Sequence, residues 1–335
     1  MKDSAKIVFT DAKPKKLGYS VILSMYKSQW VFVKHKDRDT YEIPGGRIEY
    51  GETPLDAAKR ELYEETGAKE FVIREICYYG FKESDTDDIS YGGLFFANIT
   101  EFENLPDFEM AERIFLDFPP ENMTYPMAHP FLHKKGVEWL EENTTTIYMV
   151  RHAKPDNDHK NDATRPLLPE GVEAAKNLIN LFSDIHIDVA YSSPSLRSVD
   201  TIKPVCDAKN LIITTDYDLR ERKMGEKWIS EATYKSYSPD QWNDFDYRLE
   251  DGESLRMTQE RNIDALNTIL QSNKKKSVII GTHGTALSTI LNYYYSDFAY
   301  RESENIKPKL PYIFKLRYIS DEFIDGSEIP TDDIT

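Results

Sequence analysis

Apolar positions change their period several times along this chain, and each change marks out an element. Residues 19–34, YSVILSMYKSQWVFVK, hold two short apolar runs around a polar turn at Lys27 and Ser28, the pattern of paired strands. Tyr41-Glu42-Ile43 then runs into Pro44-Gly45-Gly46, a turn. Residues 53–67 read as a helix. Thr53 is placed to be its N-cap, Pro54 its first residue and Asp56 the third residue of a capping box, while Gly67 suits a left-handed close. Leu55, Ala58 and Leu62 are expected to face a core from that helix. Further strands are predicted within 71–100 (FVIREICYYGF, YGGLFFANI), and a helix over 127–142.

Asn143-Thr144-Thr145 is a polar break, and it divides the chain into expected domains 1–143 and 144–320, with 321–335 an acidic surface tail. The second domain alternates strands, at 147–150, 189–192, 211–214 and 278–281, with helical stretches. One of these is 169–182, where Val172, Ala175, Ile179 and Phe182 keep helical spacing. Such alternation predicts a mainly parallel sheet covered by helices.

Composition narrows the function classes. A length of 335 residues suits two domains, and 40% hydrophobic with 30% charged residues suits globular cores. The formal net charge of −16 argues against a nucleic-acid polymer as partner, because that affinity comes from Lys and Arg displacing counterions. A small polyanion remains open if a metal or a few aimed arginines invert the local field. Cys77 and Cys206 lie far apart and form no disulfide framework, which suits a reducing cytoplasm. The first residues carry no continuous apolar run of a signal peptide, and no segment approaches the roughly 20 apolar residues of a membrane span. A cytoplasmic protein without a membrane partner is expected.

The helix over 53–67 carries the first candidate chemistry. Glu61, Glu64 and Glu65, spaced i, i+3, i+4, put three carboxylates on one face. Their repulsion costs a bare helix roughly 0.2–0.5 kcal/mol per pair, and a hard cation turns it into coordination. The surrounding residues fix the reading. Gly46, Glu52, Arg60-Glu61, Leu62, Glu64-Glu65, Gly67 and Ala68 match G-x5-E-x7-R-E-U-x-E-E-x-G-U, where U is apolar. On these residues the first domain resembles the Nudix hydrolases, the MutT-like ones in particular, over residues 15–142. The resemblance implies an α/β/α sandwich with a mixed sheet and a Mg²⁺ or Mn²⁺ bound by Glu61, Glu64 and Glu65. The Gly45 carbonyl is a further ligand candidate, Gly46 and Glu52 support the loop, and Arg60 orients Glu61. A downstream carboxylate, Glu112 ahead of Glu109, is a candidate for the same metal. The general base stays unassigned among Glu61, Glu64 and Glu65.

The second domain places Val150-Arg151-His152, Ser192-Ser193-Pro194 and Thr282-His283-Gly284 at strand ends, with Arg197 on a following helix and Leu219-Arg220-Glu221 and Gly225 between. Ligands in parallel α/β sheets bind at the carboxyl ends of strands. This set resembles the histidine phosphatase superfamily, the phosphoglycerate-mutase-like fold, over residues 146–320, a three-layer α/β/α domain. The resemblance implies that His152 attacks phosphorus, that Arg151, Arg197 and His283 hold the phosphoryl oxygens, that Glu221 is the acid, and that no metal takes part. Gly252-Glu253-Ser254 and Arg261 also match. The family's RHG is Arg151-His152-Ala153 here, Asn157 stands one place early with Asp158 in its slot, and Trp228 is one residue beyond its usual spacing. His35, His129, His133, His159 and His186 have no partner at ligand spacing and read as surface or packing residues. The aromatic segment 234–247 is open between a lid and a packed insertion.

Together the two domains resemble two-domain MutT-like proteins, mycobacterial ones among them. A nucleotide substrate is implied, with 8-oxo-dGTP the leading choice. Diadenosine polyphosphates, ADP-ribose and nucleotide sugars are the alternatives. A nucleotide sensor whose second domain only binds phosphate is the reading from another class.

Overall fold

A computed structural model describes residues 6–82, 88–225 and 231–331. The chain divides into two compact units, Met1–Glu142 and Asn143–Thr335. Among the described residues no helix is long and apolar enough to cross a membrane.

Unit 1 is one mixed sheet between two helices. Its strands are β1 (Lys6–Thr10), β2 (Tyr19–Tyr26), β3 (Gln29–His35), β4 (Tyr41–Glu42), β5 (Gly45–Arg47), β6 (Ala68–Lys82), β7 (Ile89–Phe102) and β8 (Met110–Leu116). The order is β1-β6-β7-β2-β3-β4, with β5 paired to β2 and β8 to β3, and only β2–β7 is parallel among the described pairs. Lys27 and Ser28 join β2 to β3 with φ of 46° and 70°. Those left-handed values are what a two-residue hairpin of matching twist requires. Helix α1 (Pro54–Thr66) packs Ala58 and Leu62 against Ile22, Val31, Ala97 and Ile99. On the other face, α2 (His129–Asn143) meets Leu23 at Gly136 and sets Trp139 6.0 Å from the Phe96 ring.

The stripe of α1 differs from expectation at one position. Leu55 is exposed, and the buried residues are Ala57, Ala58, Leu62 and Thr66. Three of those four are small or short, so the helix seats close to the sheet and Leu55 in its first turn is left outside.

Two histidines of α2 are buried. His129 Nδ1 accepts the Ile43 amide at 3.2 Å. His133 lies 4.5 Å from the Trp30 ring, and its Nε2 has no hydrogen-bond partner among the described residues. Burial pushes both imidazoles down to about 4 from an ordinary 6.5. A depressed histidine favours the fold while neutral, so this stability is present above pH 6.5 and is lost as pH falls toward 4. Linkage puts the loss at up to roughly 3 kcal/mol per histidine. Thermal melts of unit 1 are expected to drop steeply across that window, and His133→Met is expected to flatten part of the drop. A melt independent of pH there contradicts the assignment.

Unit 2 has a six-stranded sheet in the order β11-β10-β12-β9-β13-β14. Strands β9 (Thr144–Arg151), β10 (Val189–Ser192), β11 (Ile213–Thr215) and β12 (Ser277–Thr282) run parallel, while β13 (Tyr312–Ile319) pairs antiparallel with both β9 and β14 (Glu322–Ile329). Alternation along β9 explains the layers. Ile147 and Met149 join one core with Leu266, Ile269 and Leu287, from α6 (Leu255–Ser272) and α7 (Gly284–Tyr294). Tyr148 and Val150 join the other with Leu178, Ile202 and Val205, from α3 (Pro169–Leu181) and α4 (Leu196–Ala208). The sheet is thus covered on both faces.

Three readings of unit 2 change. The α3 stripe keeps Ala175 and Phe182 buried as expected, but Gly171, Ala174 and Leu178 are buried in place of the exposed Val172 and Ile179. Residues 322–329, expected in an acidic tail, form β14. Asp325 is buried there and paired with Arg317 of β13, so the charge that suggested a tail is neutralised across the ladder. The segment 234–247 is a packed insertion: α5 (Glu231–Asn243) buries Tyr237 and Gln241, and Gln241 donates to the Tyr247 and Glu253 carbonyls. Trp228 lies outside the described residues. The last helix, α8 (Tyr300–Ile306), precedes β13.

Candidate active sites

In unit 1, α1 starts with a complete capping box: Thr53 accepts from the Asp56 amide, and the Asp56 side chain accepts from the Thr53 amide. Gly67 closes the helix at φ 70°. This fixed rod presents Arg60 as the hub of the acidic face. Its Nε and Nη2 hold both oxygens of Glu52 at 2.8 and 3.0 Å, and Nη1 reaches Glu61 at 2.9 Å and Glu64 at 3.1 Å. Nη2 also donates to the Arg47 carbonyl at 2.9 Å, tying the helix to the glycine loop. Gly46 makes room for this arrangement, because a Cβ there would lie 2.1 Å from Glu61 Oε1. The Arg60 bonds, with the Glu49 amide, hold Glu52 down at about 2.

Glu61 and Glu65 differ from Glu52. Burial raises the Glu61 carboxyl, with Glu64 and Glu52 adding repulsion and Arg60 opposing. Burial raises Glu65 well above the ordinary range, and Glu61, Glu42 and Glu109 add to it. The Gly45 amide donates to Glu65 Oε2 at 2.8 Å and opposes that rise. Among the described residues no three Asp, Glu, His or Cys side chains already converge as a metal centre. The donor set nonetheless fits a hard divalent cation: carboxylate oxygens only, two of them disfavoured as anions by burial and by neighbouring carboxylates, a cost that a cation offsets.

The downstream carboxylates separate. Glu112 stands opposite Lys34 in the β3–β8 ladder, pairs with its ammonium at 3.0 Å and accepts from the Tyr41 hydroxyl at 3.1 Å. Glu109 sits 3.7 Å from His35 Nε2 and acts on Glu65 electrostatically. Glu42 is a buried carboxylate that the spacing did not single out; Arg38 holds it at 3.3 Å. Its ladder partner is Val33 of β3, and His35 and Glu109 act on it electrostatically from β3 and from just before β8.

In unit 2 three neighbouring strand ends meet. The His152 amide donates to Thr282 O at 3.0 Å and the Ser193 amide to Gly281 O at 2.9 Å. The His152 and His283 ring centres come to 5.4 Å. His152 Nδ1 bonds to the Ala153 carbonyl at 2.8 Å, so Nδ1 carries the proton and Nε2 keeps its lone pair. Arg197 Nη2 donates to His283 Nδ1 at 3.0 Å, which leaves the His283 proton on Nε2, 2.7 Å from Ser193 Oγ. Burial, and then the Arg197 and Arg151 cations, hold His152 well below its ordinary pKa. Burial and then Arg197 do the same for His283.

Arg197 is fully buried and tied to Asp162, whose carbonyl takes Nη1 at 2.6 Å. Arg151 Nη1 bonds the carbonyls of Ile306, Lys307 and Lys309 at 2.7, 3.1 and 3.3 Å, while its Nε has no hydrogen-bond partner among the described residues. Glu221 caps α7. Its Oε1 accepts the Arg222 and Ala286 amides at 2.7 and 3.2 Å, and Oε2 accepts the Thr285 amide at 3.0 Å. Arg261 supports that loop through the Arg220 and Glu221 carbonyls and pairs with Glu253 at 2.9 Å. Arg165, which no motif marked, is buried and acts on His152 as a third cation.

A sheet covered on both faces, with two histidines and two arginines gathered at its strand ends, defines a phosphoryl-handling domain. A capped helix with a glutamate face beside a glycine loop defines a second hydrolase module. The chain belongs to the histidine phosphatase superfamily (branch 1), whose model matches residues 147–323, more than half of its length; a NUDIX domain matches residues 14–140. The protein is a hydrolase. It is 30% identical over 118 residues, 35% of this chain and 72% of the relative, to YtkD of Bacillus subtilis (strain 168), provisionally an 8-oxo-dGTP diphosphatase. It is 26% identical over 198 residues to an 8-oxo-(d)GTP phosphatase of Mycolicibacterium smegmatis, covering 57% of this chain and 60% of that one. Among solved structures, Bacillus stearothermophilus YhfR superposes with a TM-score of 0.46 at 21% identity, over 53% of this chain and 94% of that chain.

Proposed function

We propose that unit 1 hydrolyses a phosphoanhydride bond of a nucleoside diphosphate compound, with 8-oxo-dGTP as substrate, and that unit 2 is a phosphohistidine-type phosphatase. The observation that carries the first part is Glu61 and Glu65, both raised first by burial and then by neighbouring carboxylates, on a helix that Arg60 locks to the glycine loop. The names of the Bacillus and Mycolicibacterium relatives support the choice of nucleotide.

Glu61, Glu64 and Glu65 would hold Mg²⁺ or Mn²⁺, which supplies Lewis-acid polarisation of a phosphoryl oxygen and neutralises charge. Arg60 keeps Glu61 and Glu64 aimed, and the Gly45 amide aims Glu65. The lysine opposite Glu112 supports Glu109 as the additional carboxylate of this site.

In unit 2, His152 Nε2 forms a bond to phosphorus as the ester P–O bond breaks. Arg151, Arg197 and His283 stabilise the oxygens of the transferring group. Glu221 gives the leaving oxygen its proton; Oε2 accepts one amide, and its second lone pair can carry that proton. Water then attacks the phosphohistidine, its proton returns to Glu221, and the P–N electron pair returns to Nε2.

The test is a panel of 8-oxo-dGTP, dGTP, diadenosine tetraphosphate and ADP-ribose with Mg²⁺, products resolved by chromatography. Wild type is expected to prefer 8-oxo-dGTP, and Glu64→Gln to lose at least about a hundredfold in kcat/KM. Binding of nucleotides without hydrolysis of any would replace this reading with a nucleotide sensor.

A further inference from the structure

The loop that carries Glu221 is gripped by side chains from outside it. Arg261, on α6, donates to the carbonyls of Asp218, Arg220 and Glu221 at 2.8, 2.8 and 3.1 Å. Glu253, just before α6, takes Arg261 Nε and Nη2 on its two oxygens, each at 2.9 Å. It also accepts Arg220 Nη2 at 2.7 Å and the Lys223 amide at 2.8 Å. The Glu253 amide returns a bond to the Lys223 carbonyl at 2.7 Å. One bidentate ion pair therefore holds residues 218–223 by three carbonyls, an amide and a guanidinium. Gly252 lets the two segments meet, since a Cβ there would lie 2.8 Å from the Met224 carbonyl.

A further grip comes from the insertion. Gln241 of α5 is fully buried, and both ends of its amide are used. Its Oε1 accepts from Arg222 Nη1, and its Nε2 donates to the Tyr247 and Glu253 carbonyls at 2.8 and 3.2 Å. The Tyr237 hydroxyl, one turn earlier on α5, accepts the Leu249 amide at 3.1 Å. Arg222 is the residue after Glu221, it is buried, and its amide donates to Glu221 Oε1 at 2.7 Å. The insertion thus reaches the acid carboxyl through one residue, and the Glu253–Arg261 pair reaches it through the backbone. Among the described residues the side-chain bonds of Gln241, Glu253 and Arg261 go to the acid loop, to the turn before α6 and to one another.

We infer that Gln241, Glu253 and Arg261 are positioning residues for proton delivery by Glu221, and that α5 is the buttress of that acid. They fix the carboxyl against the leaving oxygen and take no part in bond formation between His152 and phosphorus. A displaced acid loses its hydrogen-bond reach while the nucleophile keeps its own, so the damage falls on substrates whose leaving group needs a proton. The inference rests on the reading of Glu221 as the acid of unit 2.

The experiment uses the full chain in EDTA and reads the kcat/KM ratio of phenyl phosphate to p-nitrophenyl phosphate. The rings are alike, but p-nitrophenol is the stronger acid, so its anion departs with little need of a proton while phenol's does not. Glu221→Gln is expected to lower the ratio about a hundredfold. Gln241→Met and Arg261→Lys are expected to lower it about tenfold, with p-nitrophenyl phosphate turnover and orthophosphate affinity staying within about threefold of wild type. The two substitutions lie on different helices, and circular dichroism shows which variant is folded. Glu221→Gln combined with Gln241→Met is expected to match Glu221→Gln alone, because Gln241 acts only through that carboxyl. A ratio within about twofold of wild type in a folded single variant, an equal fall for both substrates, or a further fall of the ratio in the double variant overturns the inference while the acid reading stands. A wild-type ratio in Glu221→Gln overturns the acid reading itself, and the positioning role falls with it.

Discussion

His152→Ala is expected to remove at least about a thousandfold of the phosphatase activity of unit 2, because it deletes the nucleophile rather than a contact. Wild-type turnover of p-nitrophenyl phosphate is expected to continue in EDTA, since the proposed phosphoryl-binding groups are two histidines and two arginines, and the one carboxyl assigned there, Glu221, is held by backbone amides. The pH profile follows from the same surroundings. Burial and the Arg197 and Arg151 cations depress the imidazole, so it stays unprotonated well below its ordinary range. The acid limb of kcat/KM is therefore expected to lie below pH 6.5, the ordinary histidine value. His152→Asn, which keeps a polar side chain in the buried position, serves as a second variant and is expected to be equally inactive with its far-ultraviolet circular dichroism intact. Activity in both variants, or its loss on chelation, contradicts the assignment.

Glu65→Gln is expected to do two opposite things to unit 1. Nucleotide hydrolysis falls by at least about a hundredfold, because a neutral amide cannot serve a divalent cation as a carboxylate does. The metal-free fold becomes more stable at neutral pH. The sign follows from the raised carboxyl: a group whose folded pKa lies above its unfolded value favours the fold while protonated, and that favour is lost as pH rises through the folded pKa. Ionising Glu65 in its burial and beside Glu61, Glu42 and Glu109 therefore works against the metal-free fold, and glutamine removes that cost. Melting in EDTA is expected to shift upward by several degrees in the variant. Mg²⁺ is expected to raise the wild-type melt and to leave the variant nearly unmoved. An equal response of both proteins to Mg²⁺ sinks the metal-ligand role of Glu65 without touching the fold.

What the sequence made legible was local. The capping box of Thr53 and Asp56, the left-handed Gly67 and the turn at Lys27–Ser28 depend on residues within a few positions, and each appears in the structure. The strand-end positions of Arg151-His152, Ser193 and His283 were also legible, since apolar runs end where the polar site residues begin. Features set by distant pairing were not. Asp325 reads as one more acid of a tail until Arg317 faces it across the ladder. Glu112 reads as a free carboxylate until Lys34 faces it across the β3–β8 ladder. The hold of α8 on Arg151 spans more than 150 residues of chain and leaves no trace in spacing. Leu55 of α1 and Val172 and Ile179 of α3 were misplaced because small residues, Ala57 and Gly171 among them, carry part of the burial while these larger neighbours stay outside.

The central claim is that one chain holds two hydrolytic sites of different chemistry, a metal-assisted one on α1 and a histidine nucleophile at the end of β9. The most direct measurement assays the full chain on 8-oxo-dGTP and on p-nitrophenyl phosphate, with Mg²⁺ or EDTA, in wild type, Glu64→Gln and His152→Ala. The account predicts a crossed pattern: EDTA and Glu64→Gln abolish nucleotide hydrolysis and spare the phosphomonoester, while His152→Ala abolishes the phosphomonoester activity and spares the first anhydride cleavage. Loss of both activities together in either variant, with the fold intact, would contradict it.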